Sequence, residues 1–226
     1  MIYKAVAVIM IGVSLGLINT PFFAESKSSE IVLSEKSGTD AYIASIYNNI
    51  STNNFSLPNK KAFMEAMNGY LELKQKGIVQ KEILTIVDYT LSSKQNRLWV
   101  IDIENNSILY QSLVSHGRNS GDEFAQNFSN LPGSYKSSLG FYIAAETYFG
   151  KHGYSLRLDG MEKDVNNHAR NRAIVIHGAD YVSESFIEKH GRLGRSLGCL
   201  ALSPNISKDI IDVIKGNTCL FVYYPS

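Results

Sequence analysis

The hydrophobic period of this chain changes once, near residue 83, and that change limits the folds open to it. Before it the spacing is helical. In "TDAYIASIYNNI" Tyr42, Ile43, Ile46 and Tyr47 recur every three or four residues, with Thr39 or Asp40 in place to cap. In "PNKKAFMEAMNGYLELKQKG" Phe63, Met64, Met67, Tyr70 and Leu71 make one apolar face, and Gly77 offers a stop. A Met/Tyr stripe at that spacing is core packing and carries no site. Beyond residue 83 the period is two. "EILTIVDYTL" and "NRLWVIDIENNSILYQSLV" alternate, the latter turning at Glu104 to Ser107, where asparagine tolerates the positive φ of a tight hairpin. "GFYIAAETYF", "YSLRL", "RAIVIHG" and the closing "CLFVYYP" are further strands. Ser203-Pro204 opens one late helix, with Ile206, Ile210, Ile211 and Ile214 on one side and Gly216 at its end. The expected class is mainly β (α+β). A strand-rich domain over 83–226 carries the late helix and follows a small helical region at 39–80.

The first 24 residues stand apart. Lys4 precedes an uncharged apolar run over 5–18, too short for a membrane span and suited to the core of an export signal. Ala24 is the expected cleavage point, although Phe22 is bulky for the −3 position, so an uncleaved anchor or another cut is the alternative. The polar stretch 25–38 reads as a solvated linker. Without Lys4, 21 basic residues balance 21 acidic ones, and no basic stripe exists for nucleic acid or an anionic membrane. The chain is expected to be exported, to the periplasm or cell envelope, and to recognise its partner by shape and local chemistry.

Two cysteines are present, Cys199 and Cys219. In an exported chain they raise the question of a disulfide, which would silence either thiol. Cys219 lies in an apolar run. Cys199 lies in "GRLGRSLGCLALS", among Arg192, Arg195 and Ser196. A thiol becomes a strong nucleophile when a histidine or a nearby cation favours its thiolate. His177 ends the strand "RAIVIHG", on the face shared by Ala173 and Val175, and so aims an imidazole from a rigid element. The long loop over 117–138 is of the kind that is functional or mobile. Papain-like enzymes place cysteine before histidine, caspases need Gln-Ala-Cys, and sortases need an arginine after the cysteine, which is absent here. Neither C-x-x-C nor H-E-x-x-H occurs, so a zinc site is poorly supported. "SHGRN" at 115–119 holds arginine where a nucleophile would stand, which makes His116 a loop residue; His152, His168 and His190 read as surface or turn residues.

With His-Gly on a strand followed by Ser-x-Gly-Cys, "HGADY…GRSLGC" resembles the active-site signature of the L,D-transpeptidase (YkuD-like) catalytic domain. The resemblance covers roughly 83–226 and extends to "SSLGFYIAAE", and it is closest to the divergent murein L,D-transpeptidase branch through "HGRNSG", "GKHGYSLRL" and "HGADYVSE". It implies a β-sandwich or barrel with Cys199 as nucleophile, His177 as general base and the Gly178 carbonyl orienting the imidazole. Ser196 and Gly198 then shape the nucleophile loop. Arg195, or Arg192, would bind a stem-peptide carboxylate. Three positions depart from the pattern: Leu197 replaces histidine, Ala201 replaces arginine, and Leu200 replaces proline. The implied activity is cross-linking of peptidoglycan stem peptides, as donor and acceptor, through a thioester and with no cofactor. The alternatives are an L,D-carboxypeptidase that gives the acyl group to water and an inactive peptidoglycan-binding module.

Overall fold

The computed structural model describes residues 25–225, with side chains from 37 onward. The expected export signal at 1–24 lies outside the described residues. The chain divides after Thr39 into two compact units, and every strand lies in the second, Asp40–Ser226. Among the described residues no helix is long and apolar enough to cross a membrane.

Helix α1 spans Glu25–Asn48. The segment read as a linker is therefore helical, and Thr39 and Asp40 lie inside the helix rather than at its cap. The sequence permits this, since 25–37 holds neither glycine nor proline. Helix α2 spans Lys60–Gln75; the side chain of Asn59 accepts from the amides of Lys61 and Ala62, and Gly77 takes φ 71° just past the end.

Eight strands follow: β1 Ile83–Asp88, β2 Leu98–Asp102, β3 Ser107–Ser112, β4 Gly140–Gly150, β5 Gly153–Gly160, β6 Val175–Gly178, β7 Leu200–Leu202 and β8 Thr218–Tyr223. They form one curled sheet in the order β3-β2-β1-β8-β4-β5-β6-β7, parallel at β1/β8 and β6/β7 and antiparallel elsewhere. The expected hairpin is β2–β3, with Asn106 at φ 48° in its turn. Period-two alternation sorts the side chains into two layers. Leu84, Ile86, Trp99, Ile101, Cys219 and Phe221 face one core, and Val87, Val100, Tyr142, Leu156, Leu220 and Val222 face the other. The last strand is paired on both sides and buried throughout, which explains its unbroken apolar run.

Helix α2 covers the first layer through Phe63, Met67 and Tyr70, so the N-terminal helices share the sheet's core instead of forming a subdomain of their own. Gly69 makes the approach close: a Cβ there would lie 2.1 Å from the ring of Phe141, which stacks on Phe221. Helix α4, Pro204–Ile214, closes the second layer with Ile210, Ile211 and Ile214 fully buried, each removal from water being worth roughly 1.5–3 kcal/mol. It packs so tightly on β6 that a Cβ on Gly178 would lie 2.8 Å from Ser207 Oγ. The loop between β3 and β4 is irregular throughout, as expected. Helix α3, Glu184–His190, capped by Ser183 and ended by Gly191 in the left-handed conformation, was not evident from periodicity, and neither was β7.

Candidate active site

Strands β6 and β7 run side by side at the sheet edge, with His177 opposite Ala201 and Ile176 opposite Leu200. In this parallel register Cys199, the residue before β7, falls level with the start of β6, two positions from His177. His177 and Cys199 thus line a single cleft of about 410 Å³, together with His152, Arg172, Tyr181 and Arg195. Both cysteines are free, Cys199 partly exposed and Cys219 buried under α2, so the disulfide question is answered in the negative.

His177 is 2 % exposed. Its Nδ1 lies 2.9 Å from the Gly178 carbonyl, so Nδ1 carries the proton and Nε2 is left as an acceptor. Burial holds the imidazole below its ordinary value, with a smaller contribution from His152, whose ring stacks on it at 4.3 Å. A neutral base therefore stands in the cleft at neutral pH. The Cys199 thiol donates to the Ala173 carbonyl at 3.5 Å. Burial pushes that thiol up, opposed by an amide hydrogen bond from Val175 and by the charge of Arg172. The resting pair is accordingly thiol and imidazole.

The turn that carries Cys199 is held from inside. Ser196 Oγ accepts from the Gly198 amide at 3.0 Å and donates to the Cys199 carbonyl at 2.7 Å. The Gly198 amide is engaged in this way and is not aimed at an oxyanion. Gly198 has φ 124°, and a Cβ there would lie 2.9 Å from both the Lys136 carbonyl and Ile174 Cδ1. Leu197, which stands where the resemblance has histidine, is 58 % exposed.

Several residues sit otherwise than the sequence reading placed them. Ala173 is not on the strand face of His177. It ends the turn before β6 at φ 53°, which directs its carbonyl to the thiol. Arg195 does line the cleft, but its guanidinium bonds Asp122 at 2.5 Å and the Gly121 carbonyl at 3.0 Å, and Arg192 reaches the same carboxylate at 3.9 Å. His116 is a loop residue as expected, and a buried one. It is 1 % exposed, its Nδ1 lies 2.8 Å from Arg97 Nη2, and its carbonyl accepts from the Ser196 amide at 3.0 Å. The "SHGRN" stretch is thus the shelf on which the Cys199 turn rests, with Gly117 bridging Ser196. His152 is exposed at the β4–β5 turn as expected, yet its stack on His177 makes it part of the cleft. Arg172 was not singled out at all. His168 and His190 lie away from the cleft, in a turn and at the end of α3. Among the described residues no group of three His, Cys, Asp or Glu is placed to hold a metal.

A thiol and an oriented neutral imidazole sharing one cleft are the equipment of acyl transfer through a thioester. A family model described as the L,D-transpeptidase catalytic domain matches residues 56–223, and the chain belongs to that family. The match begins well before residue 83 and so takes in α2, as the shared core requires. Among solved structures, an L,D-transpeptidase from Mycobacterium smegmatis is 13 % identical with a TM-score of 0.40, covering 63 % of this chain and 59 % of that one. One from Stackebrandtia nassauensis is 16 % identical with a TM-score of 0.39, covering 73 % and 67 %. L,D-transpeptidase 3 from Mycobacterium tuberculosis is 10 % identical with a TM-score of 0.40, covering 63 % and 61 %. Membership rests on the family model and not on these distant likenesses. No protein with a curated description matches the chain.

Proposed function

We propose that this chain is an exported cysteine L,D-transpeptidase that forms 3–3 cross-links between peptidoglycan stem peptides. The observation that carries the reading is the common cleft of Cys199 and His177, with the imidazole oriented by Gly178. His177 Nε2 takes the thiol proton as Sγ attacks the carbonyl at the L-centre of diaminopimelate in a tetrapeptide stem. Collapse of the tetrahedral adduct breaks the bond to D-alanine, whose amine takes the proton back from His177. The thioester then passes its acyl group to the side-chain amine of a neighbouring stem, and the thiol is restored. Ser196 and Gly198 keep the turn in shape, and Arg195 is the proposed partner of a stem carboxylate, for which it must exchange Asp122.

The partial exposure of Cys199 in an open cleft favours a second reading, an L,D-carboxypeptidase in which water resolves the thioester. Incubation of the reduced protein with a disaccharide-tetrapeptide, beside Cys199→Ala, separates the two. The proposal expects D-alanine release with a cross-linked dimer, both absent in the variant. Tripeptide alone would establish the carboxypeptidase, and no product from the wild type would refute both.

A further inference from the structure

The cleft around Cys199 has a one-sided charge. The titratable groups that line it are His177 on β6, His152 and Lys151 at the β4–β5 turn, Tyr148 on β4, and Tyr181 and Arg195 on the segment between β6 and β7, while the buried Tyr89 after β1 also acts on the thiol. Arg172, from the turn before β6, completes the set, and no carboxylate lines the cleft. The charge of Arg195 is met by Asp122. Arg172 differs. Its guanidinium bonds the Ser129 carbonyl at 2.6 Å, the Lys136 carbonyl at 2.6 Å, Ser138 Oγ at 2.5 Å and Ser134 Oγ at 3.3 Å. Every one of these acceptors is neutral, so the hydrogen bonds hold the group in place without cancelling its charge. A Cβ built on Gly198 would lie 3.4 Å from Arg172 Nη2, which puts the cation beside the residue that precedes the nucleophile. Ala173, the next residue, supplies the carbonyl that accepts the thiol's hydrogen bond at rest. One short segment thus presents an acceptor for the thiol and a cation for the thiolate.

We propose that Arg172 is a positioning residue for the reaction: it supplies the positive charge that favours the Cys199 thiolate, and with the same guanidinium it ties the 129–138 loop against the nucleophile turn. The inference rests on Cys199 being the nucleophile, though not on the identity of the acyl acceptor. The thiol loses its proton to His177, and the thiolate so formed has a fixed cation as neighbour. A charge anchored by neutral groups acts at this distance with little reorganisation, as a preorganised site requires. Position 201 holds alanine where the signature has arginine, and Arg172, beside Gly198, has only neutral hydrogen-bond partners.

The test is the pH dependence of alkylation of Cys199 by iodoacetamide in the full chain, with the site of attack mapped by peptide mass and Cys219 as internal reference. In Arg172→Gln the midpoint should move up by about one pH unit, so that the rate at pH 7.5 falls about tenfold while the high-pH plateau is kept. Arg172→Lys, which retains the charge, should titrate close to the wild type. Ser138→Ala, which loosens the loop but leaves the charge, should not move the midpoint. The proposal is overturned if Arg172→Gln titrates where the wild type does, or if Ser138→Ala shifts the midpoint as far. Should Arg172→Gln fail to fold, a wild-type midpoint in Arg172→Lys supports the proposal and a tenfold loss in that folded variant overturns it. A wild-type Cys199 no more reactive than Cys219 would instead sink the nucleophile itself, and the proposal with it.

Discussion

Acid should destabilise this protein through His116 before it protonates most carboxylates. The side chain is 1 % exposed, and burial, reinforced by the charge of Arg97, pushes its pKa from 6.5 down to about 4. Arg97 is itself fully buried, with its donors on the Val114 and Leu91 carbonyls and on His116 Nδ1. A histidine that must stay neutral when folded costs nothing above its unfolded value. Below that value the unfolded chain takes up a proton the folded one refuses, so stability falls as the pH drops from 6.5 toward 4. The linkage integrates to about 2 kcal/mol lost at pH 5 and about 3 kcal/mol below pH 4. The perturbation is His116→Gln, which keeps an acceptor for Arg97 and removes the titration. Urea unfolding of both proteins at pH 7 and pH 5 gives the difference directly. His177, also held low by burial, contributes equally to both proteins and cancels. The wild type should lose about 2 kcal/mol more than the variant between the two pH values. Equal losses would refute the assignment of His116 as a buried neutral acceptor. Since the Ser196 amide hangs on the His116 carbonyl, loosening of the nucleophile turn should accompany the loss.

Three more outcomes follow from the packing. Gly198→Ala should cost roughly 1–3 kcal/mol in stability and displace the nucleophile turn, because the residue sits at φ 124° with backbone 2.9 Å from any Cβ; thermal melts and Cys199 alkylation both report it. Gly69→Ala should destabilise by about 1–3 kcal/mol despite alanine's better helix propensity, since the new methyl meets the Phe141 ring; its alkylation rate at Cys199 should match the wild type. Cys219, whose thiol is pushed up to about 12 by burial, should resist a thiol reagent in the native protein and react once the chain is unfolded, whereas equal native reactivity of both cysteines would contradict its place under α2.

Local patterns made much of the fold legible. The period-two runs became β1 to β5 and β8, Asn106 turned the hairpin, and Ser203-Pro204 opened α4, because in each case the residues that specify the element are neighbours in sequence. Helix α1 was misjudged over 25–38, where a polar stretch without breakers is equally compatible with helix. The three-residue β7 has too few residues to show a period. The motif singled out His177, Cys199, Ser196 and Gly198, and the structure brings the first three into one cleft with Gly198 in the same turn. His152 and Arg172 were not legible, for a physical reason: each lies in a polar segment whose own neighbours give no sign of the contact, and only the curl of the sheet brings β5's leading turn and the segment before β6 to the nucleophile. The burial of His116 was not legible either, since its Ser, Gly and Arg neighbours give no sign that the ring packs beside Arg97.

The central claim is that Cys199 becomes acylated, and peptide mass spectrometry tests it most directly. The reduced full chain is mixed with a tetrapeptide stem, quenched in acid within seconds and digested. The account predicts a mass increase equal to the tripeptide acyl group, carried by the peptide that contains Cys199 and absent both from the Cys219 peptide and from Cys199→Ala. An adduct on another residue, or D-alanine release that persists in Cys199→Ala, would contradict it.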